Sequence, residues 1–282
     1  MTRRRDLERH RRSLGEIREI MNSMKTLAYL ETRKLNRFLA AQQSVVRNIE
    51  DAAEDFLGFF PTMLPETGDE TPVYLIIGSE RGFCGDFNHE LLRHLDSTSG
   101  IRGNKAPLLL PVGRKLHLLL EHDARVAAYI DGVNVVEEAY STLNQIVHEL
   151  TELRLKHGPV SLSGLYHGEE GNIAMQILLP PLQHVARKPQ RFSYPPELNL
   201  PPRDFLMKLA DQYLFAALYE MLYTSLMSEN QLRVSHLDGA VQYLDDESAN
   251  LARRSNTLRQ EEIIEEIEVI LLSAANLNAD EH

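Results

Sequence analysis

The chain has 282 residues, 43% hydrophobic and 25% charged, which is enough apolar material for one or two folded domains and argues against disorder. A formal charge of -11 and a pI near 5.5 argue against nucleic acid as the main partner, and the single cysteine, Cys84, excludes an internal disulfide or a cysteine-cluster metal site and fits a reducing compartment. No run of about 18 apolar residues marks a membrane span, and the arginine-rich stretch 1–12 lacks the apolar centre of a secretory signal, so a cytoplasmic protein is expected.

Residues 1–60 contain no proline. Alternate steps of three and four run from Leu14 through Ile17, Met21, Met24, Ala28, Glu31, Leu35, Phe38, Gln42, Val45, Ile49, Ala52 and Phe56 to Phe59, apolar everywhere except at Glu31 and Gln42. This spacing predicts one long helix with a coiled-coil seam, stopped by Pro61 and Pro65. The basic run Arg3, Arg4, Arg5, Arg9, Arg11 and Arg12 reads as a solvated or acid-paired helix start.

Between 72 and 180 the period changes. Val73 to Ile77 is a continuous apolar run bounded by Pro72 and Gly78, as expected of a strand buried on both faces. A helix at 89–95, a strand at 107–112, a helix at 114–122 and a weak third strand at 126–130 follow. Asn134 to Lys156 forms an amphipathic helix with Val135, Ala139, Leu143, Ile146, Leu150 and Leu153 on one face and Gly158-Pro159 as its stop. Strands at 160–166 and 173–179 close a small, mostly parallel, Rossmann-like α/β domain.

The proline-rich stretch 180–202 reads as an extended connector. A second long helix, 203–278, opens at Arg203-Asp204. Its seam passes through Val234, Leu237, Val241, Leu244, Ser248, Leu251, Ser255 and Leu258; beyond it Ile263, Ile264, Ile267, Val269, Ile270, Leu271 and Leu272 spread around most of the helix. The two terminal helices are expected to pair antiparallel, with Leu14 beside Ser248 to Leu251 and the arginines before Ser13 near Asp245, Asp246 and Glu247 or just beyond. The fold class is therefore an α+β and α/β combination: an antiparallel coiled coil of the N- and C-terminal helices, with an inserted α/β domain. The longer second helix should overhang, and its apolar tip should lie inside another protein.

Candidate chemistry is sparse. The loop at 78–88 sits where a phosphate-binding loop would, but with only Gly78, Gly82 and Gly85 and no Gly-Lys-Ser/Thr step it matches neither nucleotide pattern, so it is read as a structural turn. Cys84 lacks a sequence-marked activating partner and is read as a buried thiol. The 11 histidines are scattered, without metal-ligand spacing. No catalytic, cofactor-binding or metal site is expected.

The segment Ser79 to Asn88, SERGFCGDFN, resembles the "DRGLCGGFN" segment of the gamma subunits of F-type ATP synthases, matching at Arg81, Gly82, Cys84, Gly85, Phe87 and Asn88. Ser228-Glu229 with Arg233 and Ala240 is similar to that family's "SE…R…A" stretch. Leu258-Arg259-Gln260 with Ile263 and Glu266-Ile267 is similar to its "RQ…IT.E..EI" ending, and Ser273-Ala274-Ala275 to its small-residue terminus. The connector from Phe192 into the last helix resembles the family's passage out of a "YEPDP" turn. In the N-terminal "KIT.AM..VA..K" run this chain keeps Ile20, Met24 and Ala28 but not the first Lys, the Thr or the Val. It is also acidic where such subunits tend to be basic. These departures imply a divergent member, of an alternative proton- or sodium-coupled enzyme.

The resemblance implies a non-catalytic central rotor shaft. It would turn, in one copy, inside a ring of three alpha and three beta subunits, with the epsilon subunit and the membrane c-ring at its foot, peripheral on the cytoplasmic face of a bacterial inner membrane. It further implies rotor or bearing contacts at Met24, Arg233, Gln260, Ile263, Ile264, Ile267 and Leu271, and a structural insert loop at Arg81, Gly82, Cys84, Gly85 and Asn88. Two readings from other classes stand beside it: an α/β enzyme with helical arms, and a self-associating coiled-coil scaffold.

Overall fold

The computed structural model describes residues 2–64, 68, 70–98, 106–185 and 193–279. Its elements are α1 (Thr2–Leu57), β1 (Thr71–Ile77), α2 (Phe87–Thr98), β2 (Leu108–Val112), α3 (Arg114–Leu119), α4 (Ala139–His157), β3 (Val160–His167), β4 (Ile173–Leu179) and α5 (Pro202–Ala279). Single 3-10 turns follow α1, precede α4 and join β3 to β4. The chain divides into two compact units, one of Met1–Leu27 with Val234–His282 and one of Ala28–Arg233. No described helix is long and apolar enough to cross a membrane.

In the first unit the two helices run antiparallel. Arg18 donates to Asp245 at 2.6 Å, Lys25 to Asp238 at 2.9 Å, and Arg4 pairs with Glu262 at 3.3 Å. As one helix ascends the other descends, which puts Leu14 opposite the 248–251 turn as the spacing predicted. The cation beside Asp245 is Arg18, however, and not a member of the run before Ser13. The α5 seam is the predicted one: Leu237, Val241, Leu244, Leu251 and Ser255 are buried and Leu258 half-buried. The ion pairs flank that seam in solvent and contribute little; burying the apolar row supplies the stabilisation, at about 25 cal/mol per Å². Past Glu262 the pattern opens, and Ile263, Ile264, Ile267, Val269, Ile270 and Leu271 are all exposed. The side chains of Leu272 and of Ser273-Ala274-Ala275 lie outside the description.

The second unit is built on a four-stranded sheet in the order β2-β1-β3-β4, parallel except for β4. The expected third strand at 126–130 is reduced to two parallel bridges, Leu109 to Val126 and Val112 to Ile130, because only its ends reach β2. Alternate residues of β1 feed two cores. Val73, Leu75 and Ile77 face α1, α4 and α5, whereas Tyr74 and Ile76 face α2 and α3. A strand covered on both faces has no polar side to show, which is why 73–77 is apolar throughout.

Here α5 lies between α1 and the sheet and from Ala216 to Asn230 is buried nearly all round, with Tyr213, Ala217, Leu218, Met221, Leu222, Leu226 and Met227 in one core. On α1 the buried row is Ala28, Thr32, Leu35, Val46, Ala53 and Phe56, with Leu39, Gln42 and Ile49 half-buried. This is a four-three alternation, not the expected three-four one. The shared positions Ala28, Leu35, Gln42, Ile49 and Phe56 hold, but Phe38 and Val45 are exposed. The stripe is turned by one residue because α1 meets, besides α5, the turn before α4.

The two polar exceptions in that row have specific jobs. Gln42 Nε2 donates to the Ala216 carbonyl at 2.9 Å, and Glu31 Oε1 accepts the Val136 backbone N–H at 2.8 Å. With the Lys34 to Glu137 pair, Glu31 fastens α1 to the turn that starts α4. The predicted α4 face is the buried one, starting from Val136 where Val135 had been expected.

Spin labels at the exposed positions Glu19 and Asp246 test the antiparallel register. They should report a short distance, because packed helix backbones lie about 8 to 10 Å apart. A broad, long distribution would contradict the pairing.

Candidate functional site

The residues singled out in the SERGFCGDFN segment and in the Ser228-Glu229…Arg233 stretch are brought together inside the second unit. Arg233 is the centre. Its Nε donates to the Gly82 carbonyl at 3.1 Å, one terminal nitrogen donates to Asn230 Oδ1 at 2.8 Å, and the other pairs with the Glu229 carboxylate one turn back on α5. Arg233 is 6% exposed and Glu229 3%. Helical spacing explains the geometry, since positions 229, 230 and 233 share one face of α5. That face meets the loop because the first turn after β1 must pass over α5, where Ser225 Oγ also donates to the Ile77 carbonyl at 3.2 Å.

The loop itself is tightly determined. Asn88, at the start of α2, accepts the Ser79 N–H at 3.0 Å and donates to Ser79 Oγ at 2.8 Å, closing the turn from within. Gly78 is required there, because a β-carbon would lie 2.5 Å from Leu116 Cβ and 2.7 Å from Asn88 Oδ1. Gly85 has φ +63°, and Phe83, a non-glycine, has φ +64° with its ring 52% exposed. Holding a bulky residue in that region costs about 1 to 2 kcal/mol, so the loop keeps its shape only under restraint. Cys84 is turned inward, its Sγ 3.7 Å from the Arg81 carbonyl, and burial pushes its thiol up from the ordinary value, against the pull of Arg233. Arg81 is exposed.

Residues outside the expected set complete the site. One Glu80 oxygen accepts the Arg114 N–H at 2.8 Å and the Gly132 N–H at 2.9 Å, so the loops after β1, β2 and the 126–130 segment are tied by one carboxylate. His167, fully buried at the end of β3, stacks on Phe87 at 3.8 Å and bonds the Phe87 carbonyl through Nε2 at 2.8 Å. Burial lowers its pKa, which keeps the ring neutral. Asn230, also outside that set, carried a readable signal: Ser228-Glu229-Asn230-Gln231 is a polar run between Met227 and Leu232. Glu80 carried none, because its partners are backbone groups far along the chain.

Chemically the site holds itself. In doubly wound sheets, ligands bind beyond the carboxyl ends of the strands, on free backbone N–H groups. In this chain Glu80 takes two of those N–H groups and Asn88 a third, while Arg233 satisfies an outward carbonyl. Among the described residues no three His, Cys, Asp or Glu side chains are grouped to hold a metal. The other singled-out positions lie elsewhere: Met24 is half-buried on α1, and Gln260, Ile263, Ile264, Ile267 and Leu271 are exposed on the last turns of α5. Arg233, expected as a bearing contact, is instead turned inward, because its guanidinium is committed to the loop and to Glu229.

Residues 3–277 match the family model for ATP synthase. The gamma chain of Clostridium botulinum strain Langeland is 23% identical over 273 residues, covering 94% of this chain and 95% of that one. The chain belongs to this family, that of the ATP synthase gamma subunit. Solved structures share the fold. The Euglena gracilis mitochondrial ATP synthase rotor in rotational state 1 gives a TM-score of 0.59 at 16% identity, over 93% of this chain and 99% of that one. A chain of the OSCP/F1/c-ring assembly of the same enzyme in rotational state 3 gives 0.64 at 17%, over 100% and 96%. Two of the sequence patches that carry the resemblance, far apart along the chain, form this one buried cluster.

Burial raises the Glu229 carboxyl to about 7, with Arg233 pulling it down less strongly. Its contribution to folding stability is therefore complete below the ordinary value of 4.5 and is lost as the pH rises through about 7. Urea unfolding across that window should show stability falling less in Glu229→Gln than in the unmodified chain. Equal slopes for the two proteins would contradict the burial argument.

Proposed function

We propose that this gamma chain is the central shaft of a rotary F-type ATPase, turning in one copy inside a ring of three alpha and three beta subunits. Epsilon and the membrane c-ring stand at its foot, on the cytoplasmic face of a bacterial inner membrane. The observation that carries this reading is the end of α5. The seam closes through Ser255 and Leu258, and α5 then continues to Ala279 with Ile263, Ile264, Ile267, Ile270 and Leu271 along one side and Val269 across from them, Ile267 51% and Leu271 63% exposed.

A long exposed apolar stripe at the end of a helix is suited to an apolar sleeve that closes around it. A rotating contact cannot keep fixed hydrogen bonds, whereas apolar burial is non-directional and persists through a turn. Met24 and Gln260 join these residues as bearing contacts. The shaft carries no chemistry of its own. It acts by forcing the beta subunits through successive nucleotide affinities, which couples ion flow to ATP synthesis or hydrolysis.

Co-expression with alpha and beta chains should yield one complex with a single copy of this chain, read by native mass. Leu271→Ala should leave ATP turnover close to the unmodified level, since the neighbouring Ile263, Ile264, Ile267 and Ile270 still fill the sleeve. Ile267→Asp should reduce assembly by about tenfold or more, because an unpaired carboxylate enters an apolar ring. Silence of Ile267→Asp, or loss of activity confined to conservative changes on one face, would mean that the tip is a fixed docking site.

A further inference from the structure

We infer that Arg233, with Glu229 and Asn230, is a latch that transmits torque between α5 and the inserted sheet through the loop at 79–88, and that Arg233 is a positioning residue for coupling. The inference rests on the shaft reading above. Three observations carry it. The guanidinium makes all its contacts in a fork, two on α5 itself and one across to the Gly82 carbonyl. It thus joins a helix to a loop through charge-assisted hydrogen bonds, which resist sliding as apolar contacts do not.

The loop is also held in a form it would not take alone, with Phe83 at φ +64° next to the latched carbonyl. Without the latch, Phe83 relaxes toward ordinary backbone angles and the loop loosens. Finally, the loop sits where the remaining ties converge. Ser79, Glu80 and Asn88 link it to α2, to α3 and to Gly132, so a force applied at Gly82 reaches the elements on the far face of the sheet. The apolar packing of α5 on the sheet gives cohesion, whereas the latch gives a fixed angular register.

Cys84 is a natural reporter, being the only cysteine of the chain, 4% exposed and two residues from the latched carbonyl. The experiment uses the assembled complex in vesicles and reads two quantities: the alkylation rate of Cys84 by peptide mass, and ions pumped per ATP hydrolysed, with protons and sodium both followed. Arg233→Lys keeps the charge but not the fork. The double variant Glu229→Met with Arg233→Met removes both charges, so that neither is left buried alone and folding is preserved.

In the double variant Cys84 should alkylate about tenfold faster or more, the factor expected from losing one charge-assisted hydrogen bond. Pumping per ATP should fall by about half or more, and Arg233→Lys should lie between. Faster alkylation with unchanged coupling, or lost coupling with alkylation unchanged, overturns the latch. If the complex with the unmodified chain hydrolyses ATP without pumping, the shaft reading fails instead, and the alkylation rates still decide whether Arg233 holds the loop.

Discussion

Everything in this chain depends on the mutual burial of its two terminal helices. α1, of 56 residues, and α5, of 78, each carry an apolar row that water would leave exposed, and neither could persist as an isolated helix. In the first unit they cover one another directly, with a single seam and solvated ion pairs along its edges. In the second unit the same two helices share a core with the sheet, and α5 from Ala216 to Asn230 becomes buried nearly all round. In chain order the sheet is thus inserted between the two long helices. The same arrangement yields a stiff element, since two wound helices resist bending better than one.

The loops at the carboxyl ends of the sheet are tied by side chains of this chain. Its strands present their carboxyl ends to loops that bond to each other and to α5. The Glu80 carboxylate bonds to the backbone N–H groups at Arg114 and Gly132, and the Arg233 guanidinium covers the Gly82 carbonyl. A fold does not determine a function, and here the side chains around one loop decide between them.

Much of this was legible in the residues, for identifiable physical reasons. The α5 seam could be read because in the first unit it faces one partner, so a strict heptad survives from Leu237 to Leu258. The α1 row was read one residue out at Val45 and Ala52, where Val46 and Ala53 are buried, because a second partner turns the buried stripe by one residue while the seven-residue repeat is kept. Buried strands announced themselves as apolar runs, but the 126–130 segment did not reveal that only its ends bridge to β2. Glu31 and Gln42 looked like blemishes in a periodic row and are tethers to backbone groups. Arg233 was visible as a family position, but its direction was not: whether a long cation points out to a partner or in to a carbonyl depends on a loop more than a hundred residues away in sequence.

The central claim is that this chain turns relative to the alpha and beta subunits while ATP is hydrolysed. The most direct measurement fixes the ring to a surface, attaches a bead to this chain at an exposed residue of the inserted domain such as Tyr140, and follows the bead by light microscopy. The account predicts sustained one-way rotation that begins with ATP and stops when ATP is removed. A bead that keeps a fixed orientation while the same complexes hydrolyse ATP would contradict it.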